Sequence, residues 1–166
     1  MLQGGCYCGA VRYVVEGDIF HGTLCHCSDC RRIAGAPAVA WFSARMEGMR
    51  FTKGNPTTFR SSEHVLRGFC ATCGTMLTYQ DDRQPDEIDI ATASLDDPEA
   101  APPQDHTFAA ERLSWMRTGD GLPAYPRTRS EGRRLKPLFA LICPYFPLLD
   151  PSLTRCRAGQ REPAHR

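Results

Sequence analysis

Cysteine dominates the chemistry open to this chain of 166 residues. Seven of its nine cysteines fall into three clusters: Cys6 and Cys8 in CYC, Cys25, Cys27 and Cys30 in CHCSDC, and Cys70 and Cys73 in CATC. The opening residues, MLQGGCYCGAVRY, lack a basic start followed by an apolar run, so no export signal is expected and the chain reads as cytosolic. In a reducing compartment, clustered cysteines are metal ligands or reactive thiols rather than a disulfide framework. An odd number of cysteines also leaves at least one outside any set of disulfides.

Zinc prefers four tetrahedral ligands, and thiolate sulfur is among its best. The pairs Cys6/Cys8 and Cys70/Cys73 supply that number from two distant points of the chain. In C-x-x-C a tight turn aims both sulfurs at one point, and Gly74 gives such a turn its conformational freedom. In a regular strand Cys6 and Cys8 share a face, so modest bending would converge them. A four-thiolate zinc is structural and contributes directly to folding.

That leaves Cys25, Cys27 and Cys30. Three thiolates make a zinc site with one open position, the arrangement of catalytic zinc. Such a centre carries net −1 and is a poor Lewis acid for water. It suits a soft ligand, another thiol, held as a nucleophilic thiolate. Arg31 and Arg32, directly behind the cluster, can offset the charge or hold the carboxylates of a small acidic thiol. His26 stands between two ligands, is expected to point away from the metal, and reads as an exposed histidine.

The remaining elements must position these thiols. Apolar content of 42% and charged content of 23% are ordinary for one globular domain. A net charge of +1 gives no pull towards nucleic acid or a membrane. The longest apolar run, Pro137–Asp150, is too short to span a bilayer and is broken by Pro144 and Pro147. Val11, Tyr13 and Val15 alternate with Arg12, Val14 and Glu16 as in a strand with one apolar face. Residues 37–44, 54–62, 63–69, 74–80 and 88–95 read as further short strands, and His106–Met116 as a late strand or a short helix. Many short runs punctuated by Gly and Pro predict a mainly β domain. From Pro126 onward proline and arginine become dense and no period is visible. The expected division is residues 1–127 as the zinc-binding domain and 128–166 as a basic tail or docked appendage.

The stretches GGCYCGAVRYVVEGD, CHCSDCRRIAGAPAVAW, GNPTTFRSS, RGFCATCGTMLTY, IDIATASLDDP and ERLSWM come in the order and spacing of one family. Over about residues 3–127 the chain resembles the GFA family, the glutathione-dependent formaldehyde-activating enzyme-like proteins. The resemblance implies a β-tent fold of several antiparallel sheets around zinc. It implies a structural zinc on Cys6, Cys8, Cys70 and Cys73 and a second zinc on Cys25, Cys27 and Cys30, the partition that ligand counting gives. The implied activity is carbon–sulfur lyase chemistry on a glutathione adduct, with glutathione as co-substrate and formaldehyde as the aldehyde. The alternatives are a non-catalytic zinc-stabilised binding module and a thiol-based zinc or redox sensor. Tyr13, His64 and His106 are candidate proton donors, each with a structural role as the simpler reading.

Overall fold

The computed structural model describes residues 1–131. Cys143, Cys156, the apolar run and most of the basic tail lie outside the described residues.

In chain order the elements are β1 (Leu2–Gly5), β2 (Arg12–Val15), β3 (Ile19–Cys25), α1 (Ser28–Ala34), β4 (Val39–Arg45), β5 (Met49–Lys53), β6 (Thr57–Ser62), β7 (Val65–Phe69), β8 (Met76–Asp81), β9 (Glu87–Ala91) and β10 (Asp105–Thr107). The chain is mainly β, as expected. Strands β1-β2-β5 form a small antiparallel sheet, and β10-β3-β4-β9-β8-β7-β6 a larger one. The larger sheet is antiparallel except for β10, which lies parallel to β3 with His106 opposite Leu24.

Period-2 alternation gives the large sheet two unlike faces. From β4, Phe42 and Ala44 point to one face and Val39 and Trp41 to the other; from β9, Ile88 and Ile90 oppose Ala91. The first face packs with Leu77 against Tyr13 and Val15 of the small sheet, and this layer also buries Cys6 and Cys70. The second face gathers Val39, Trp41 and Ala91 with Cys25 and Cys30, flanked by half-buried Cys27, Met76, Tyr79 and Phe108. The large sheet therefore separates the two thiol sets. Each fully buried side chain such as Phe42 or Ile90 contributes about 1.5–3 kcal/mol to holding these layers.

Tyr13, 1% exposed, is in the first of these layers. Its hydroxyl lies 2.7 Å from Ser94 Oγ, and Ser94 donates to the Ala91 carbonyl, so Tyr13 is the donor of the pair. Burial pushes its phenol up to about 12, against the opposing pull of Ser94. The folded state thus keeps this proton between about pH 10 and 12 while the unfolded chain loses it. The stability is fully present below pH 10 and is lost as pH rises through 12, by roughly 2–3 kcal/mol. Denaturant midpoints measured from pH 9 to 12 should fall with that slope in the native chain and more shallowly in Tyr13→Phe.

One expectation is met only in part, and one element was not anticipated. Residues 106–116 do not continue as a strand: β10 ends at Thr107, Phe108 takes a left-handed φ of 53°, and Ala109–Glu111 form a 3-10 turn. The helix α1 lies where no helical period was visible. Seven residues are too few to display one, and its ends are set by caps instead. Cys27 Sγ accepts from the Cys30 amide, and Gly35 closes the helix at φ 61° with its amide on the Arg31 carbonyl.

Candidate metal centres

The first centre joins two turns. After β1, Cys6 and Cys8 sit in a tight turn closed by the Gly9 amide on the Cys6 carbonyl, 3.0 Å. This corrects the expectation of a bent strand: the turn, not the pleat, brings both sulfurs to one side. The second turn runs from Cys70 to Gly74, whose amide donates to the Cys70 carbonyl at 2.8 Å with φ at 74°. That φ is the freedom expected of Gly74. Cys6 Sγ is 3.6 Å from Cys8 Sγ, Cys8 Sγ is 3.8 Å from Cys70 Sγ, and all four sulfurs lie within 4.8 Å of one another. Four sulfurs tetrahedral about one zinc at 2.3 Å would be about 3.8 Å apart. The donor set and its spacing therefore fit that ion. The Val11 amide donates to Cys6 Sγ at 3.2 Å, and Thr75 Oγ1 lies 3.2 Å from Cys73 Sγ. Hydrogen bonding to Thr75 holds the Cys73 thiol down at about 5, while Cys8, against a lowering contact from the Ala10 backbone, is pushed up to about 11 by burial and the three neighbouring thiols.

The second centre is built where β3 runs into α1. Cys25 ends the strand, Cys27 caps the helix and Cys30 lies in its first turn, which brings the three sulfurs within 4.8 Å of one another. Cys25 and Cys30 are buried and Cys27 is half-buried, so Cys27 is the thiol nearest solvent. The Cys30 amide donates to Cys27 Sγ at 3.3 Å. Contacts with Cys25 and Cys27, then the charge of Arg67, hold the Cys30 thiol down at about 3; the same thiol contacts and burial push Cys25 up. Three soft donors with one already biased towards thiolate fit a zinc with an open fourth position.

Of the residues singled out beside this cluster, Arg31 is half-buried and Arg32 exposed on α1, and neither hydrogen-bonds a thiol among the described residues. The arginine that does is Arg67 of β7, whose two terminal nitrogens each donate to Cys30 Sγ at 3.8 Å. Its one signal in the sequence is an arginine at the inward position between Val65 and Phe69, where alternation calls for an apolar residue.

His26 points away from the thiols as expected, but it is buried to 0% exposure rather than exposed. Its Nε2 lies 2.9 Å from His106 Nδ1, and His106 Nε2 lies 3.1 Å from both Asp120 carboxylate oxygens. A carboxylate only accepts, so His106 donates to Asp120 through Nε2 and accepts from His26 Nε2–H. Burial, then the neighbouring His106, lowers the His26 pKa to about 4, which keeps the buried ring neutral near pH 7. The loop is pinned from the same side by its backbone: the His26 amide donates to the Thr107 carbonyl at 3.0 Å, and the Ser28 amide to Glu111 at 2.8 Å. Among the other candidate donors, Tyr13 belongs to the opposite face, and His64 sits on an exposed turn 2.9 Å from Asp82.

The sequence matches the family model described as glutathione-dependent formaldehyde-activating enzyme over residues 1–111, which contain all seven clustered cysteines. A Halomonas elongata protein named "Putative glutathione-dependent formaldehyde-activating enzyme" is 26% identical over 132 residues, covering 70% of this chain and 80% of that one. A crystal structure of a Rhodobacter sphaeroides protein superposes with a TM-score of 0.50 at 29% identity, covering 60% of this chain and 94% of the other. With two thiol centres in one mainly β scaffold and the family match spanning both, the chain belongs to the glutathione-dependent formaldehyde-activating enzyme (GFA) family.

Proposed function

We propose that this protein is a zinc-dependent carbon–sulfur lyase-type enzyme acting on a glutathione adduct, with the addition of glutathione to formaldehyde as its reaction. Cys6, Cys8, Cys70 and Cys73 would hold a structural zinc, and Cys25, Cys27 and Cys30 a second, catalytic zinc. The observation that carries the reading is the convergence of three thiols, not four, at the start of α1. Bound there, zinc would supply a soft electrophilic position at which a thiol is more readily deprotonated.

The chain's own residues would do the rest. Cys27, the half-buried member, faces the approaching thiol, while Cys25 and Cys30 anchor the centre in the apolar layer with Val39 and Trp41. Arg31 and Arg32, on the helix that carries Cys30, are the proposed contacts for the glutathione carboxylates. In the reaction the S–H bond of glutathione breaks and its sulfur forms a bond to the formaldehyde carbon. The C=O bond becomes C–OH, with the thiol proton reaching that oxygen through solvent. Nothing is oxidised, and the gain comes from proximity and a raised thiolate fraction. Residues 1–127 would form the catalytic domain, with 128–166 an appendage. Arg129, just beyond that boundary, is still docked, pairing with Asp105 and donating to the Gly22 carbonyl at 3.0 Å.

Zinc per chain, measured on purified protein with and without glutathione and in Cys27→Ser, tests this. The expected result is one tight zinc and one weaker zinc that glutathione retains and Cys27→Ser abolishes. A single tight zinc, indifferent to both glutathione and the substitution, would overturn the reading.

A further inference from the structure

Arg67 is 3% exposed, so its guanidinium is in the protein interior. Nε donates to Ser61 Oγ at 3.1 Å, and the guanidinium carbon lies 4.8 Å from the centroid of the Tyr79 ring. It takes part in none of the salt bridges formed among the described residues. A guanidinium stays protonated at any working pH, and a buried charge without an opposite charge is strongly disfavoured. A serine hydroxyl and an aromatic face carry no net charge. What the fork of Arg67 does straddle is one sulfur, Cys30 Sγ, with both terminal nitrogens at 3.8 Å.

We propose that Arg67 is the counter-charge of the three-thiol centre and that it makes the open fourth position select an anionic thiolate over a neutral donor. This rests on the reading of Cys25, Cys27 and Cys30 as zinc ligands. Three thiolates and one Zn²⁺ sum to −1, and Arg67 brings the buried total to zero. An entering thiol that gives its proton to solvent then takes the total to −1 instead of −2. A neutral donor such as imidazole adds no charge and gains nothing from Arg67. The residue thus acts through charge, as a specificity-determining neighbour of the ligands. Its fixed fork and its stacking on Tyr79 hold that charge against Cys30 without a competing carboxylate.

The charge is separable from the shape of the side chain. Lysine keeps it and loses the fork; glutamine and methionine remove it and keep most of the stem. The test uses the full chain loaded with Co²⁺, whose visible spectrum reports each ligand that enters the second centre. The wild type, Arg67→Lys, Arg67→Gln and Arg67→Met are each titrated with 2-mercaptoethanol and, separately, with imidazole. The readout is the ratio of the two dissociation constants. Thiol preference should fall at least tenfold in Arg67→Gln and Arg67→Met, and Arg67→Lys should stay within threefold of wild type. An unchanged ratio in whichever neutral variant folds overturns the role of Arg67 alone. So does an equal loss in Arg67→Lys, which would assign the effect to shape instead of charge. A wild-type chain that takes up no second Co²⁺ overturns the zinc reading of the centre and this inference with it.

Discussion

Serine at position 70 should abolish cooperative folding. Cys70 is 1% exposed and donates its sulfur to the four-thiol centre from the layer between the two sheets. A structural zinc on such a set is worth about 10–16 kcal/mol of apparent folding free energy. A domain of this size has a total stability of only about 5–15 kcal/mol. With the ion lost, the deficit exceeds what the fold can spare, and neither the packing of Tyr13 and Val15 on the large sheet nor the Tyr7 amide's 3.1 Å bond to Thr75 Oγ1 replaces it. Cys70→Ser should show no cooperative thermal transition by circular dichroism and should carry one zinc fewer. A strong chelator should do the same to the wild type. Cys27→Ser, at the other centre, should keep a cooperative transition. A Cys70→Ser chain that melts cooperatively within a few degrees of the wild type would show that the four thiols are not the staple.

The second large effect is expected at His106, which is 1% exposed and accepts from His26 while donating to Asp120. Leucine there fills the space but leaves the buried His26 Nε2–H without an acceptor. An orphaned buried donor costs about 1–3 kcal/mol, and a half-satisfied polar chain is worse than none. His26 lies between Cys25 and Cys27, so its displacement moves two sulfurs at once. His106→Leu should lower the unfolding free energy by about 1–3 kcal/mol and weaken metal uptake at the second centre at least tenfold, with the first centre still loaded. His106→Gln, which can both accept and donate, should recover part of both losses. Normal uptake in His106→Leu would mean that the bonds from the His26 and Ser28 amides to the Thr107 carbonyl and the Glu111 carboxylate suffice to set the loop.

Much of this architecture was legible in the sequence because its determinants are local. The short apolar runs at residues 37–44 and 88–95 announce strands, and the spacing of CYC, CHCSDC and CATC announces thiol centres. The partition of the seven cysteines into four and three matches the two groups that converge. What escaped notice depends on pairings far apart in the chain or on very short elements. His26 reads as exposed because its partner is 80 residues away. Arg67 attracts no notice in VLRGF, since only the folded sheet brings it over Cys30 from 37 residues away. Helix α1 is recognisable only through its caps, with a cysteine taking the place usually held by serine or aspartate. The arginines nearest in sequence, Arg31 and Arg32, were the natural candidates for the charge role, and the one that hydrogen-bonds a thiol, Arg67, comes from a distant strand.

The first centre also sets a clock. Its thiols Cys8 and Cys70 are 62 residues apart, and chains grow from the N-terminus at about 5–20 residues per second. During synthesis the CYC pair therefore waits about 3–12 s before the CATC pair even exists. Through that interval Cys6 and Cys8 are open to oxidation or to the wrong metal. Helix α1 and its three thiols are complete long before, although β10, which braces them, is not. A nascent chain of this protein therefore presents Cys25, Cys27 and Cys30 before the four-thiol centre can assemble. Its safe passage to the folded state depends on how well the surroundings keep thiols reduced over those seconds.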